Sequence, residues 1–255
     1  MISSQASAVA CTVLGDLKRK LESQANAQAR RSEVCVSVLY CDRPQESQRY
    51  SIRGGEWREE VSTELKRIQR YAVDVTMDTD TAYPRLILSD DGKQVTYGDT
   101  KQNLPDTPKR FTYHPIVLGN QGFSSGRFYY EVQVSRKTEW SLGVVRESFN
   151  RKGKIETFKP QDGFWTVILR KGNEYTARDD PCIPLFLREK PQKVGVFVDY
   201  DEGLVSFYDV EARSHIYSFT CQSFTEKLYP YFSPCLNDGG KNAAPLITSR
   251  VSKTE

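Results

Sequence analysis

The hydrophobic period of the chain changes once. In the first part, apolar residues recur at steps of three and four, the spacing of one helical face. Ala10, Val13, Leu14, Leu17 and Leu21 predict a helix over roughly residues 8–30. Val34 to Tyr40 is a short apolar run that fits either a helix or a strand. Residues 41–56 are polar, carry Pro44, Gly54 and Gly55, and read as a linker. A second amphipathic helix follows, in which Trp57, Val61, Leu65, Ile68 and Tyr71 share a face and Glu59, Glu60, Lys66 and Arg67 lie elsewhere. Two short helices cannot bury such stripes alone. They must pack on each other, on the domain that follows, or on another chain.

From Val73 onward the period is two. Phe128, Tyr130, Val132 and Val134 alternate with Tyr129, Glu131 and Gln133, which predicts a half-buried strand. Similar runs, rich in β-branched and aromatic residues, stand at Leu86–Leu88, Trp140–Val145, Phe164–Leu169, Val194–Tyr200, Leu204–Tyr208 and His215–Phe219. Turn signals separate them. Asp201-Glu202-Gly203 between two of the runs predicts a hairpin. Many short strands without helical pattern between them argue an all-β, antiparallel sandwich or barrel.

The motifs along this stretch, taken in order, carry a resemblance. Met77-Asp78-Thr79 precedes Leu86-Ile87-Leu88-Ser89-Asp90-Asp91-Gly92. Ser125-Gly126-Arg127 leads into Tyr130-Glu131-Val132, and Gly163-Phe164-Trp165-Thr166 into Val198-Asp199-Tyr200-Asp201. Val205-Ser206-Phe207-Tyr208 and Phe232-Ser233-Pro234 follow, then Asn237-Asp238-Gly239-Gly240-Lys241-Asn242. From about Val73 to Val251 the chain resembles the PRY-SPRY module found at the C-terminus of tripartite-motif ubiquitin ligases and in butyrophilins. The resemblance implies a two-sheet antiparallel sandwich of the concanavalin-like jelly-roll type, preceded here by two short α-helices. It divides the chain into an N-terminal helix and linker (1–56), a coiled-coil remnant (57–72), a PRY part (73–120) and a SPRY part (121–255). It implies target recognition by loops, in the setting of innate immunity or ubiquitin-dependent targeting, with no covalent step, and self-association through Trp57–Tyr71. The cysteine spacing cannot build the zinc-binding ligase head of such proteins.

Carried over motif by motif, the family's binding face falls on Tyr97 in the first loop, Ser141 after Trp140, Ile168 and Arg170 beyond Trp165, and Leu236-Asn237 before the double glycine. Alternation places Arg170 on the face of Phe164, Thr166 and Ile168, where a guanidinium can anchor a carboxylate or an aromatic ring. Trp140 and Trp165 alternate to the opposite face and are expected in the core. Some relatives carry aromatic residues at the positions of Ile168 and Arg170 and an acid at Ser141, so their ligands, antibody constant regions included, do not transfer.

Composition narrows the alternatives. Lys and Arg number 36 against 33 Asp and Glu, a net charge of +3, without the strong basic footprint of nucleic-acid modules. An RNA-binding adaptor would need Arg151, Lys152 and Lys154 to join the Arg170 region in one basic face. A structural subunit of a receptor tail or toxin assembly is the other alternative. None of the six cysteines has zinc-knuckle spacing, and only two histidines are present, so no metal or cofactor is expected and free thiols are the default. Asp74, Asp78 and Asp80 lack the rest of a calcium loop and read as turn and cap residues. Lys241 is followed by Asn242 rather than Ser or Thr, so the glycine pair reads as a tight turn and not as a phosphate loop. His114 and His215 have no nucleophile motif around them. No apolar run approaches the ~20 residues of a membrane span, and the start lacks the charged region of a signal peptide, so a cytoplasmic home is expected.

Overall fold

The computed structural model describes the backbone of residues 54–251 and the side chains of residues 61–251. The helix expected over residues 8–30 and the run Val34–Tyr40 lie outside these residues. One α-helix, α1 (Gly54–Gln69), is present among them. It begins at Gly54 rather than Trp57 and ends before Tyr71. Its last turns tighten through Tyr71 N–H to the Ile68 carbonyl at 3.0 Å and Ala72 N–H to Gln69 at 3.1 Å. The chain then pairs at once with the sandwich: Tyr129 N–H donates to the Tyr71 carbonyl and Val73 N–H to the Tyr129 carbonyl, both at 2.9 Å.

The rest is β. The strands are β1 (Leu86–Leu88), β2 (Gln94–Tyr97), β3 (Val117–Leu118), β4 (Arg127–Gln133), β5 (Trp140–Arg146), β6 (Phe164–Arg170), β7 (Glu174–Ala177), β8 (Ile183–Leu185), β9 (Lys193–Asp199), β10 (Leu204–Asp209), β11 (Ser214–Phe219), β12 (Leu228–Ser233) and β13 (Leu246–Ser249). They form two antiparallel sheets. One has seven strands in the order β1-β2-β13-β4-β9-β10-β11, the other six in the order β3-β12-β5-β6-β7-β8. The expected hairpin joins β9 to β10, with Asp199 opposite Leu204 and Gly203 at φ 64° closing the turn.

Between the sheets lies the main core. Phe128, Tyr130 and Val132 enter it from β4, Trp140 and Leu142 from β5, Trp165 and Val167 from β6, as the alternation predicts. Both tryptophans are core residues. Each large apolar side chain buried here contributes roughly 1.5–3 kcal/mol of transfer free energy.

The half-buried strand expected at Phe128–Val134 is buried on both faces instead. Tyr129 is fully covered and Glu131 is 3% exposed. The cover is α1, whose Leu65 and Ile68 pack on Tyr129, Phe197 and Tyr208 across the outer face of the seven-stranded sheet. Leu65 and Ile68 of the helical stripe are therefore spent on the module's own sheet. Glu131 tolerates burial because its carboxylate is satisfied: Tyr129 Oη donates at 2.9 Å, Gln69 Nε2 at 3.0 Å, and Lys193 Nζ lies 3.3 Å away. Tyr208 Oη donates to Glu64 on the helix at 3.0 Å.

The outer face of the six-stranded sheet is covered too. Loops carrying Phe111, Ile116 and Phe149 pack on Val145, Phe164 and Tyr231. This second cover stops short of the middle of β5 and β6, and the gap is the cavity described next.

Candidate functional site

Cross-strand register builds the floor. One row across the six-stranded sheet runs from Tyr231 on β12 to Gly143 on β5 and Thr166 on β6. It continues to Arg178, whose backbone N–H donates to the Thr166 carbonyl at 2.9 Å just past β7. The next row runs Ser233, Ser141, Ile168, Thr176. Successive residues of a strand point to opposite faces. Ser141, Thr166, Ile168 and Arg170 therefore stand together on the outer face, away from the two tryptophans.

These side chains line a cavity of about 210 Å³. Its walls come from His114 and Phe158 in the covering loops, from Arg178, and from Glu139 and Leu236 at the rim. Leu236 is 56% exposed and forms an apolar lip.

Asn242 holds the rim in place. It is buried, and its Oδ1 accepts the backbone N–H groups of Thr138 and Glu139 at 2.9 and 3.1 Å. Its Nδ2 donates to the carbonyls of Glu139, Pro234 and Leu236 at 3.1, 2.9 and 2.9 Å. The double glycine before it supplies φ of 61° and 92°, and Asn237 Oδ1 accepts the Gly240 N–H at 3.0 Å, the tight turn expected there. Beneath the rim lies Lys137, 0% exposed, whose Nζ donates to the carbonyls of Asn242 and Ala244 at 3.2 and 2.9 Å. Burial pushes its pKa down to about 8.

The electrostatics of the cavity are specific. Arg170 Nη1 donates to the carbonyls of Trp140 and Leu169 at 3.0 and 2.7 Å, so one edge of its guanidinium is spent on the strand ends. The guanidinium of Arg178 lies over the Phe158 ring at 5.7 Å, and its buried Nε has no hydrogen-bond partner. Thr166 is 1% exposed and its Oγ1 is likewise unpartnered. His114 Nε2 accepts the Ile155 N–H at 3.0 Å, which fixes a neutral ring with its proton on Nδ1. Burial, then the nearby Lys154 charge, keeps its pKa below the usual histidine value. Burial raises the Tyr231 phenol and the Cys235 thiol, so both stay neutral.

Of the residues singled out from sequence, Ser141, Ile168, Arg170 and Leu236 meet at this cavity. Asn237 flanks it, its Nδ2 donating to Asp99 at 3.3 Å. Tyr97 does not line it. It is the last residue of β2 rather than a loop residue, half-buried against the main core and stacked on Tyr83 with ring centroids 6.5 Å apart. Sequence reading passed over Arg178, Glu139 and Phe158. Asp78 Oδ1 accepts the Asp80 N–H at 2.9 Å, a turn role as expected, and Asp74 pairs with Lys93 at 2.5 Å. Cys182 and Cys235 are free thiols; Cys221 departs from that default. Among the described residues, no helix is long and apolar enough to cross a membrane.

A rigid two-sheet sandwich that presents a loop-walled cavity on one outer face has the build of a binding module. Known families agree with that class. The SPRY domain matches residues 127–246 and the SPRY-associated domain, PRY, matches residues 75–123. This part of the chain belongs to the PRY-SPRY family. Pyrin of Homo sapiens is 51% identical over 188 residues, covering 74% of this chain and 24% of pyrin. The E3 ubiquitin-protein ligase TRIM68 of Mus musculus is 41% identical over 259 residues, covering 91% of this chain and 53% of the ligase. The TRIM65 PSpry domain shares the fold, with a TM-score of 0.62 at 20% identity over 72% of this chain and 94% of that one. The chain thus spans from about a quarter to about half of the length of these curated relatives.

Proposed function

We propose that the chain is a protein-recognition module that binds its target through the cavity on the six-stranded sheet, in a cytoplasmic, tripartite-motif-like pathway of innate immunity or ubiquitin targeting, without chemistry of its own. One observation carries this reading. Ser141, Ile168, Arg170 and Leu236 come from three separate stretches of sequence, and they converge on one walled cavity with two unpartnered buried polar atoms, Thr166 Oγ1 and Arg178 Nε. Such a place suits a desolvated anchor from a partner, ringed by a polar rim. Tyr97 enters the reading only through Asp99, which ties the end of β2 to the Leu236-Asn237 loop.

The RNA alternative draws less support. Lys152 is paired with Asp106, and Arg151 lies over Phe111 while donating to the Lys109 carbonyl. Two of its three basic residues are thus held locally.

Affinity capture from cytosolic lysate tests the reading. Wild type is compared with Leu236→Arg, which fills the exposed lip, and with Lys66→Glu on the helix side as a control. The expected result is a protein retained by wild type and by Lys66→Glu and lost with Leu236→Arg. Retention by a folded Leu236→Arg variant places the contact elsewhere.

A further inference from the structure

We infer that the cavity takes a carboxylate of the protein partner, seated between the guanidiniums of Arg170 and Arg178 with Thr166 Oγ1 as an added donor. This rests on the recognition reading above and specifies its chemistry.

Three observations lead to it. First, two buried polar atoms that line or abut the cavity, Thr166 Oγ1 and Arg178 Nε, have no partner, although leaving a buried polar group unmade is costly. They are cross-strand neighbours on one face, joined by the Arg178 N–H to Thr166 carbonyl bond. A single acceptor seated between them would give each the partner it lacks. Second, Arg178 has no hydrogen bond or ion pair from its side chain among the described residues, only the Phe158 ring beneath it. The ring contact holds the guanidinium beside the cavity and leaves its donors for a planar, two-oxygen acceptor. Third, the charges lining the cavity sum to a single positive: Arg170 and Arg178 against Glu139, with His114 held neutral by the Ile155 N–H. That balance suits a monoanion better than a phosphate dianion. The volume, about 210 Å³, holds one side chain or one chain end, and Phe158, Ile168 and Leu236 offer apolar contact to its stem.

The source of the carboxylate is either a glutamate or aspartate side chain or the C-terminus of the partner, and the test separates them. The whole chain, labelled with ¹⁵N-arginine, is titrated to millimolar concentrations with four probes: N-acetyl-glutamate α-methylamide, N-acetyl-glutamine α-methylamide, N-acetyl-leucine and inorganic phosphate. Arg170→Lys and Arg178→Lys assign the Nε–H signals. The expected result is a saturable shift of the Arg178 signal with the glutamate probe, the leucine probe or both. The glutamine probe should bind at least about tenfold more weakly, as for loss of a charged hydrogen-bond partner. Thr166→Val keeps the shape of the buried side chain and should weaken the carboxylate by about tenfold. A shift with the glutamate probe alone assigns a side chain; a shift with the leucine probe alone assigns a chain end. Equal response to acid and amide, response to phosphate alone, or no response to either carboxylate overturns the inference. The recognition reading survives each of these, because Leu236→Arg tests it separately.

Discussion

The carboxamide of Asn242 grips Glu139 from both sides, accepting its backbone N–H and donating to its carbonyl, each at 3.1 Å. Through this grip, residues far apart in sequence share one rim. Asn242→Ala removes five hydrogen bonds and leaves their mostly part-buried backbone partners unmade. The expected cost is about 3 kcal/mol or more in chemical denaturation. Asn242→Asp should not rescue it, since an ionised carboxylate still accepts from Thr138 and Glu139 but turns its second oxygen on the carbonyls of Glu139, Pro234 and Leu236.

Gly143 is equally constrained. Its φ is 149°, and a Cβ there would stand 2.0 Å from the Trp165 carbonyl oxygen. The Tyr130 hydroxyl pins the Gly143 carbonyl from the core side at 2.6 Å, so the strand cannot yield. Gly143→Ala should lose at least about 3 kcal/mol. Gly172→Ala is the comparison, because its φ is also positive but nothing lies near its Cβ position. It should lose less.

Ile68 tests the docking of the helix. It is 1% exposed against Tyr129, Phe197 and Tyr208. Ile68→Ala should destabilise the module by about 2–4 kcal/mol. A helix held in a partner chain would instead give a loss that depends on protein concentration, so the denaturation midpoint is measured at two concentrations.

Lys137 predicts a pH dependence. In the folded protein its amine gives up a proton near pH 8, whereas the unfolded chain keeps it up to the ordinary value of 10.5. Between those values the unfolded state binds more protons, so this residue makes stability rise with pH. The stability of wild type relative to Lys137→Met should therefore increase across that window, and be flat below it. The raised phenols of Tyr129, Tyr130 and Tyr231 act the other way above pH 10, where only unfolded tyrosine ionises.

His114 acts on the acid side. Its folded pKa lies below the ordinary 6.5, so the unfolded chain takes the proton first as pH falls. Stability should drop below that value, and His114→Gln should lessen the drop. Protonation also ends the acceptance of the Ile155 N–H, so exchange of that amide should rise in acid beyond that of the neighbouring strands.

The resemblance supplies the site residues, and alternation supplies the face on which those of β6 stand. Reading Phe164–Leu169 as a strand sends Trp165 inward and Thr166 and Ile168 outward, with Arg170 next in the alternation, which is how they stand. Arg178 was missed because β7 spans only Glu174–Ala177 and β8 only Ile183–Leu185. Runs so short carry too few alternations to be told from loops. Once β7 is known, the same rule that buries Tyr175 and Ala177 puts Arg178 on the cavity side. Glu131 failed for another reason. Its polarity argues for solvent, and its burial depends on Gln69 and Lys193, partners that no local pattern announces. Tyr97 was carried over from a motif match, and a match in sequence order does not fix which way a side chain turns.

The helix covers the back of one sheet, and the cavity opens on the back of the other. Sheets packed face to face stand about 10 Å apart, so these two faces are separated by a rigid slab that neither Ile68 nor Arg178 crosses. The module is thus a two-sided plate with the helix on one side and the cavity on the other. A dye, a tether or a fused protein placed along Lys66 and Arg70 would leave the cavity open. A signal passing from one side to the other would have to shift the strands themselves.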